Sequence, residues 1–249
     1  MTDSGNTVST YRISVGMLAL AILLAAPPLT QAGTPQQKKS KQGTKSASQS
    51  ETDGKRAALH QALQEPLTSF GAAVLGDYLY VFSGHDGDAH GEGRDLLADH
   101  FRRIKVDDPE ANWEELAKHH PAQSTALVTD GKYLYRIGGL SFLNSSGEET
   151  NFNSTQFFSR YDVEEDKWTE LAPLPEPRSS LDAAVLGRSI YVAGGWNLQG
   201  KSSRDAPWHE DILRFDLDHS EAGWQTIKGP GYNTRAISLA AFDGKIYLL

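Results

Sequence analysis

Apolar residues in this chain fall in short runs, and each run is broken within a few positions by glycine, aspartate or proline. Runs this short, rich in Val, Ile, Tyr and Phe, predict strands rather than helices. The clearest runs come in pairs. They read "AAVLGDYLYVFSG" from Ala72, "ALVTDGKYLYRIGG" from Ala126, "AAVLGRSIYVAGG" from Ala183 and "AAFDGKIYLL" from Ala240. A short turn containing Gly or Asp joins the halves of each pair, the mark of a β-hairpin. Alternation along the strands is imperfect because both faces carry apolar residues. That pattern predicts small sheets stacked between like sheets, with neither face left to water.

The pairs are copies of one unit. Tyr80, Tyr135, Tyr191 and Tyr247 anchor the second strands at intervals of 55, 56 and 56 residues. Trp113, Trp168 and Trp224 each follow their tyrosine by 33 residues and the preceding Gly84, Gly139 or Gly195 by 29. Fixed intervals around loops of changing sequence indicate an internal repeat. The third copy shows four strand-like segments, "DAAVLG", "SIYVAGG", "DILRFDL" and "WQTIKG". Units of about 68–122, 123–178 and 179–235 follow, with a partial one over 236–249.

Strand, turn, Leu-Tyr-Val-x-Gly-Gly, variable loop, apolar-Asp, then Trp-x-x-Leu and Pro-Arg: over residues 63–249 this order resembles the kelch repeat, one blade of a β-propeller. The resemblance implies an all-β fold of three complete four-stranded blades and half of a fourth. It also implies structural work for Tyr80, Gly84, Trp113, Tyr135, Gly138, Gly139, Trp168, Tyr191, Gly194, Gly195, Trp224 and Tyr247. Two departures occur in the first copy, where Ser83 replaces the first glycine and the Pro-Arg pair is missing. Were the fourth copy to follow its siblings, Gly-Gly would occupy the next two positions. The expectation is therefore a piece of a six- or seven-bladed ring, closed by further blades or by a partner chain.

Composition adds the ends and the exclusions. Residues 1–32 carry Arg12, the fourteen-residue run "ISVGMLALAILLAA" and "PPLTQA", which predicts a signal peptide and an exported protein, periplasmic, cell-surface or secreted. Residues 33–58 have no large apolar side chain and six Lys/Arg against two Asp/Glu, and read as a basic disordered linker. The chain's −8, less +4 for residues 1–58, leaves −12 on residues 59–249, which argues against a nucleic-acid partner. With no cysteine there are no disulfides, zinc-thiolate sites, Fe–S clusters or cysteine nucleophiles, and no cofactor is expected.

Chemistry in a propeller belongs to its loops. Those after Gly-Gly (85–93, 140–154, 196–210) and those before the next inner strand (119–123, 175–180, 231–236) are expected to meet on one face. Arg178 and Arg235 occupy equivalent places just before an inner strand, suited either to a ligand carboxylate or to a neighbouring blade's carboxylate. Trp196, Trp208 and Tyr232 offer an aromatic platform, and His209 and Glu210 join them as candidate ligand-binding residues. His85, Asp88 and His90 in "HDGDAHGEG" are weak metal-ligand candidates whose spacing matches no established site. Asn144-Ser145-Ser146 and Asn153-Ser154-Thr155 are glycosylation sequons.

Three readings of function follow. The first is a non-catalytic module binding a protein or glycan through the loop face. The second is a carbohydrate-active enzyme resembling the periplasmic sialic-acid mutarotase, with Arg178 or Arg235 on the substrate carboxylate and Glu210 or His209 as acid/base. The galactose-oxidase type, which also belongs to exported kelch proteins, is disfavoured by the absence of cysteine. The third is a truncated product without function.

Overall fold

The computed structural model describes residues 60–87 and 91–249; the segments read as signal peptide and linker lie outside them. Three four-stranded antiparallel sheets and one two-stranded hairpin follow the repeat. The first sheet comprises Gly71–Leu75, Tyr78–Phe82, Phe101–Lys105 and Glu114–Glu115. The second comprises Ala126–Thr129, Tyr133–Ile137, Phe158–Asp162 and Lys167–Glu170. The third comprises Asp182–Leu186, Ser189–Ala193, Ile212–Asp216 and Trp224–Ile227, and the hairpin pairs Leu239–Phe242 with Lys245–Leu248. Each sheet is a simple meander, its strands hydrogen-bonded in chain order. First strands of successive sheets are neighbours at the centre, so this is a β-propeller with the Ala-rich strands innermost.

Apolar residues on both faces of each sheet are used. Tyr80, Phe82 and Phe101 of the first blade pack with Leu127, Leu134 and Tyr161 of the second. On its opposite side the second blade gives Tyr135, Ile137 and Phe158 to a core shared with Ile190, Val192 and Phe215 of the third. The tryptophans stitch the periphery. Trp113, Trp168 and Trp224 donate their indole N–H to the carbonyls of Gln61, Ala117 and Ala172, at 3.0, 2.8 and 3.0 Å.

A second seam runs round the axis. Ser69, Ser124, Ser180 and Ala236 all adopt the left-handed backbone, with φ of 55°, 53°, 54° and 52°. Each of the last three donates its backbone N–H to the carbonyl of the one before, at 2.7, 3.1 and 2.9 Å. Just outside this seam stand the paired glycines. A Cβ on Gly138 (φ +58°) would lie 2.4 Å from the Arg178 carbonyl oxygen, so only glycine fits. In the first blade Ser83 holds the same position at φ 50°. Its hydroxyl donates to the Ala98 carbonyl (2.8 Å) and accepts the Ala122 N–H (2.9 Å), which offsets the strain.

Candidate ligand-binding site on the loop face

The segments after Gly-Gly are more ordered than their sequence suggests. Leu140–Phe142 and Phe152–Ser154 form a small hairpin in the second blade, and Gln199–Gly200 of the third blade adds to it as a third strand. Beneath them Leu97, Leu140, Phe142, Phe152 and Leu198 make a separate apolar cluster. The first blade's loop joins through Arg94, which donates to the Leu143 carbonyl at 2.8 Å and to Ser145 Oγ at 2.9 Å. Asn144 is consumed here: its amide donates to the Glu92 and Ser145 carbonyls and its oxygen accepts the Asn151 N–H. The loop face is thus a second tier with its own core.

On that tier the third blade carries the aromatic group. Trp196 and Trp208 face one another across an isolated β-bridge, ring centroids 6.1 Å apart and near edge-to-face. The first and second blades place His85/Leu97 and Leu140/Ser154 at these positions. Arg235 lays its guanidinium over both indoles, 4.4 Å from the Trp196 centroid and 5.3 Å from that of Trp208. Trp208 is 40% exposed. Among the described residues no carboxylate forms an ion pair with Arg235, so its N–H edge is available to an incoming acceptor.

Beside the indoles lies a hollow of about 330 Å³, lined by Pro175, Glu176, Arg178, Trp208, His209, Glu210, Asp211, Leu213 and Thr226. Arg178 is its buried wall. It donates through Nη2 to Asp211 Oδ1 (2.7 Å) and through Nη1 to the Gly194 carbonyl (3.3 Å). Arg178 therefore pairs with a carboxylate of the blade it introduces, which is the second of the two roles its place suited. Its supposed equivalence to Arg235 is corrected. The Arg178 carbonyl accepts the Gly139 N–H as that of Thr234 accepts the Gly195 N–H, while Arg235 aligns with Ser179.

His209 is buried, and its Nε2–H donates to the Pro177 carbonyl at 3.0 Å. Burial, reinforced by the Arg178 charge, holds the imidazole below its ordinary pKa, so it is neutral at pH 7. Glu210 is exposed and its backbone is pressed against Gly229, where any Cβ would collide with the Glu210 carbonyl. Tyr232 is exposed and lines neither this hollow nor the larger one described next.

The larger hollow, about 500 Å³, lies on the other side of the 175–178 segment and includes Asn153, Gln156, Phe157, Glu170, Pro173, Pro177 and Gln199. Phe157 is stacked on the His120 ring at 5.0 Å and also contacts the Arg136 guanidinium at 4.5 Å.

His85 turns inward, its Nε2 bonded to the Gly91 carbonyl at 3.0 Å; Asp88 and His90 lie outside the described residues. Among the described residues no three His, Asp or Glu side chains converge on a metal-sized point. Glu176 and Asp211, which shape the smaller hollow, are not singled out by the sequence, although Glu176 lies in the 175–180 loop expected on this face and Asp211 follows directly on the 196–210 loop.

The geometry can be set beside known proteins. No protein-family model matches the chain. It is similar to the kelch repeat and BTB domain-containing protein 1 of cowpox virus, 26% identical over 181 residues, covering 72% of this chain and 28% of that protein. Kelch-like protein 40 of mouse is 29% identical over 169 residues, covering 65% of this chain and 24% of its relative. The human kelch repeat and BTB domain-containing protein 12 is 26% identical over 137 residues, covering 55% and 21%. The chain spans about a quarter of the length of these relatives. Among solved structures, that of YjhT superposes with a TM-score of 0.60 at 18% identity, covering 77% of this chain and 59% of the other.

Proposed function

We propose that this kelch-type β-propeller is a protein-binding module whose contact surface is the loop tier, with Arg235 as its anchor for a carboxylate of the partner. One observation carries the reading: a guanidinium in cation–π contact with two indoles, without an ion-pair partner among the described residues. Contact with the indoles holds the guanidinium in place, and its free N–H donors suit bidentate recognition of Asp or Glu. Trp208 supplies the exposed apolar area expected of an interface anchor. The order of the loop tier means little entropy is lost when a partner docks. Kelch proteins among the relatives support a binding role, and the leader-like residues 1–32 support one outside the cytoplasm.

Selection of a random peptide library on the immobilised protein tests this. Enriched peptides should carry an acidic residue, and Arg235→Ala should weaken them at least tenfold, with Trp208→Ala comparable. Binders lacking Asp and Glu, or indifferent to both substitutions, would overturn the assignment. A glycan is the second reading, favoured by the exposed ring of Trp208; competition by free saccharides in the same assay separates the two.

A further inference from the structure

The repeat supplies its own reference for what a blade needs at each position. At the fourth residue of the second strand the first and third blades have Val81 and Val192, and the second blade has Arg136. This arginine is fully buried, and none of its three guanidinium nitrogens has a hydrogen-bond partner among the described residues. Its company is aromatic: Phe157 at 4.5 Å and Phe82, from the first blade, at 5.4 Å. A valine would fill the site without burying a charge, so packing does not explain the arginine.

His119 lies against the same rings. Its imidazole is 4.9 Å from Trp168, 6.1 Å from Phe157 and 6.5 Å from Phe82, between the first and second blades. Its Nε2–H donates to Glu170 Oε1 at 2.7 Å, while Nδ1 is buried with no partner among the described residues. The charged and titratable groups facing the ring are Arg136 from the second strand, Glu170 from the fourth and His120 beside it in the chain. Phe82, Phe157 and Trp168 complete the surroundings. Glu170 is half exposed and also accepts from Ser159 Oγ at 2.9 Å.

We propose that His119 and Arg136 form an acid-released joint between the first and second blades. With His119 neutral, the joint is one cation, one carboxylate and a stack of rings. Proton uptake at Nδ1 creates a donor with no acceptor and a second cation beside Arg136, with Glu170 alone to balance both. Burial and the Arg136 charge already hold the imidazole below its ordinary pKa, against the pull of Glu170. The unfolded chain therefore binds this proton more readily than the folded one, so stability falls as pH drops below the ordinary histidine value near about 6.5. Glu170 and Phe157 also line the larger loop-face hollow, so the same proton loosens its wall.

The test needs no ligand. Imidazole proton NMR of the full chain should show His119 titrating below about 6.5, and Arg136→Val should move it upward. Thermal unfolding from pH 7.5 to 5 should show a fall in Tm that His119→Gln reduces by roughly 2–5 °C, other titrating groups being common to both proteins. An imidazole titrating at or above the ordinary value, or parallel Tm profiles for the two proteins, overturns the proposal. Should His119→Gln fail to fold, the Arg136→Val titration decides alone, because valine is the residue the sibling blades carry.

Discussion

Ser83 shows how a single side chain substitutes for a glycine. Its left-handed φ of 50° is unfavourable for any residue with a Cβ, and two buried hydrogen bonds from one hydroxyl compensate. Ser83→Ala should therefore cost about 1–3 kcal/mol in urea unfolding, through unsatisfied partners at Ala98 and Ala122. Ser83→Gly should cost less, since it relieves the backbone while losing the same bonds. At this scale the sequence was legible where spacing was fixed and misleading where a dipeptide caught the eye. Arg178 precedes Tyr191 by thirteen residues, whereas Arg235 precedes Tyr247 by twelve, so the offset was already visible. What no spacing reveals is that Arg178 turns to Asp211 and Arg235 to two indoles. Those choices depend on which loop lies above each guanidinium.

Strands and their stitches were largely written in the pattern. The inner hairpin of every blade falls where its paired apolar runs place it, because each pair is joined at a turn-forming Gly or Asp; the first blade's outermost strand is only Glu114–Glu115 and has no apolar residue. The indole N–H bonds explain the constant Trp interval: moving the tryptophan one residue would turn the ring to the other face of its strand. Trp168→Phe retains most of the packing and loses the bond to Ala117, so a loss of about 1–2 kcal/mol in denaturant stability is expected. Faster amide exchange should accompany it along Lys167–Glu170. The loop strands escaped the sequence reading. Leu140–Phe142 and Phe152–Ser154 do alternate, but three residues of alternation between Gly and Asn-Ser-Ser-Gly are too short a signal.

At the scale of the whole molecule, two kinds of link join neighbouring blades. One is local in sequence rhythm, repeated at every step; the other is the strand Gln199–Gly200, by which the third blade completes a sheet of the second. Proteins built from repeats commonly come apart unit by unit. The shared sheet predicts that the second and third blades open together. Native-state hydrogen exchange should give Phe152–Ser154 and Ile212–Asp216 the same opening free energy, and Phe152→Ala, which removes a ring from the tier's core, should separate them.

The axial seam of Ser69, Ser124, Ser180 and Ala236 consists of one amide and one carbonyl per blade, with no side chain involved. Any blade of this kind can follow any other there, so gene duplication or unequal crossing-over meets no obstacle at the centre. The loop tier is the opposite. Leu198 and Gln199 fit only above Phe152 and Asn153, and a blade inserted between them would sever the strap. A lineage that copies its blades freely at the hub must then fix their order at the rim, the surface proposed here to meet a partner.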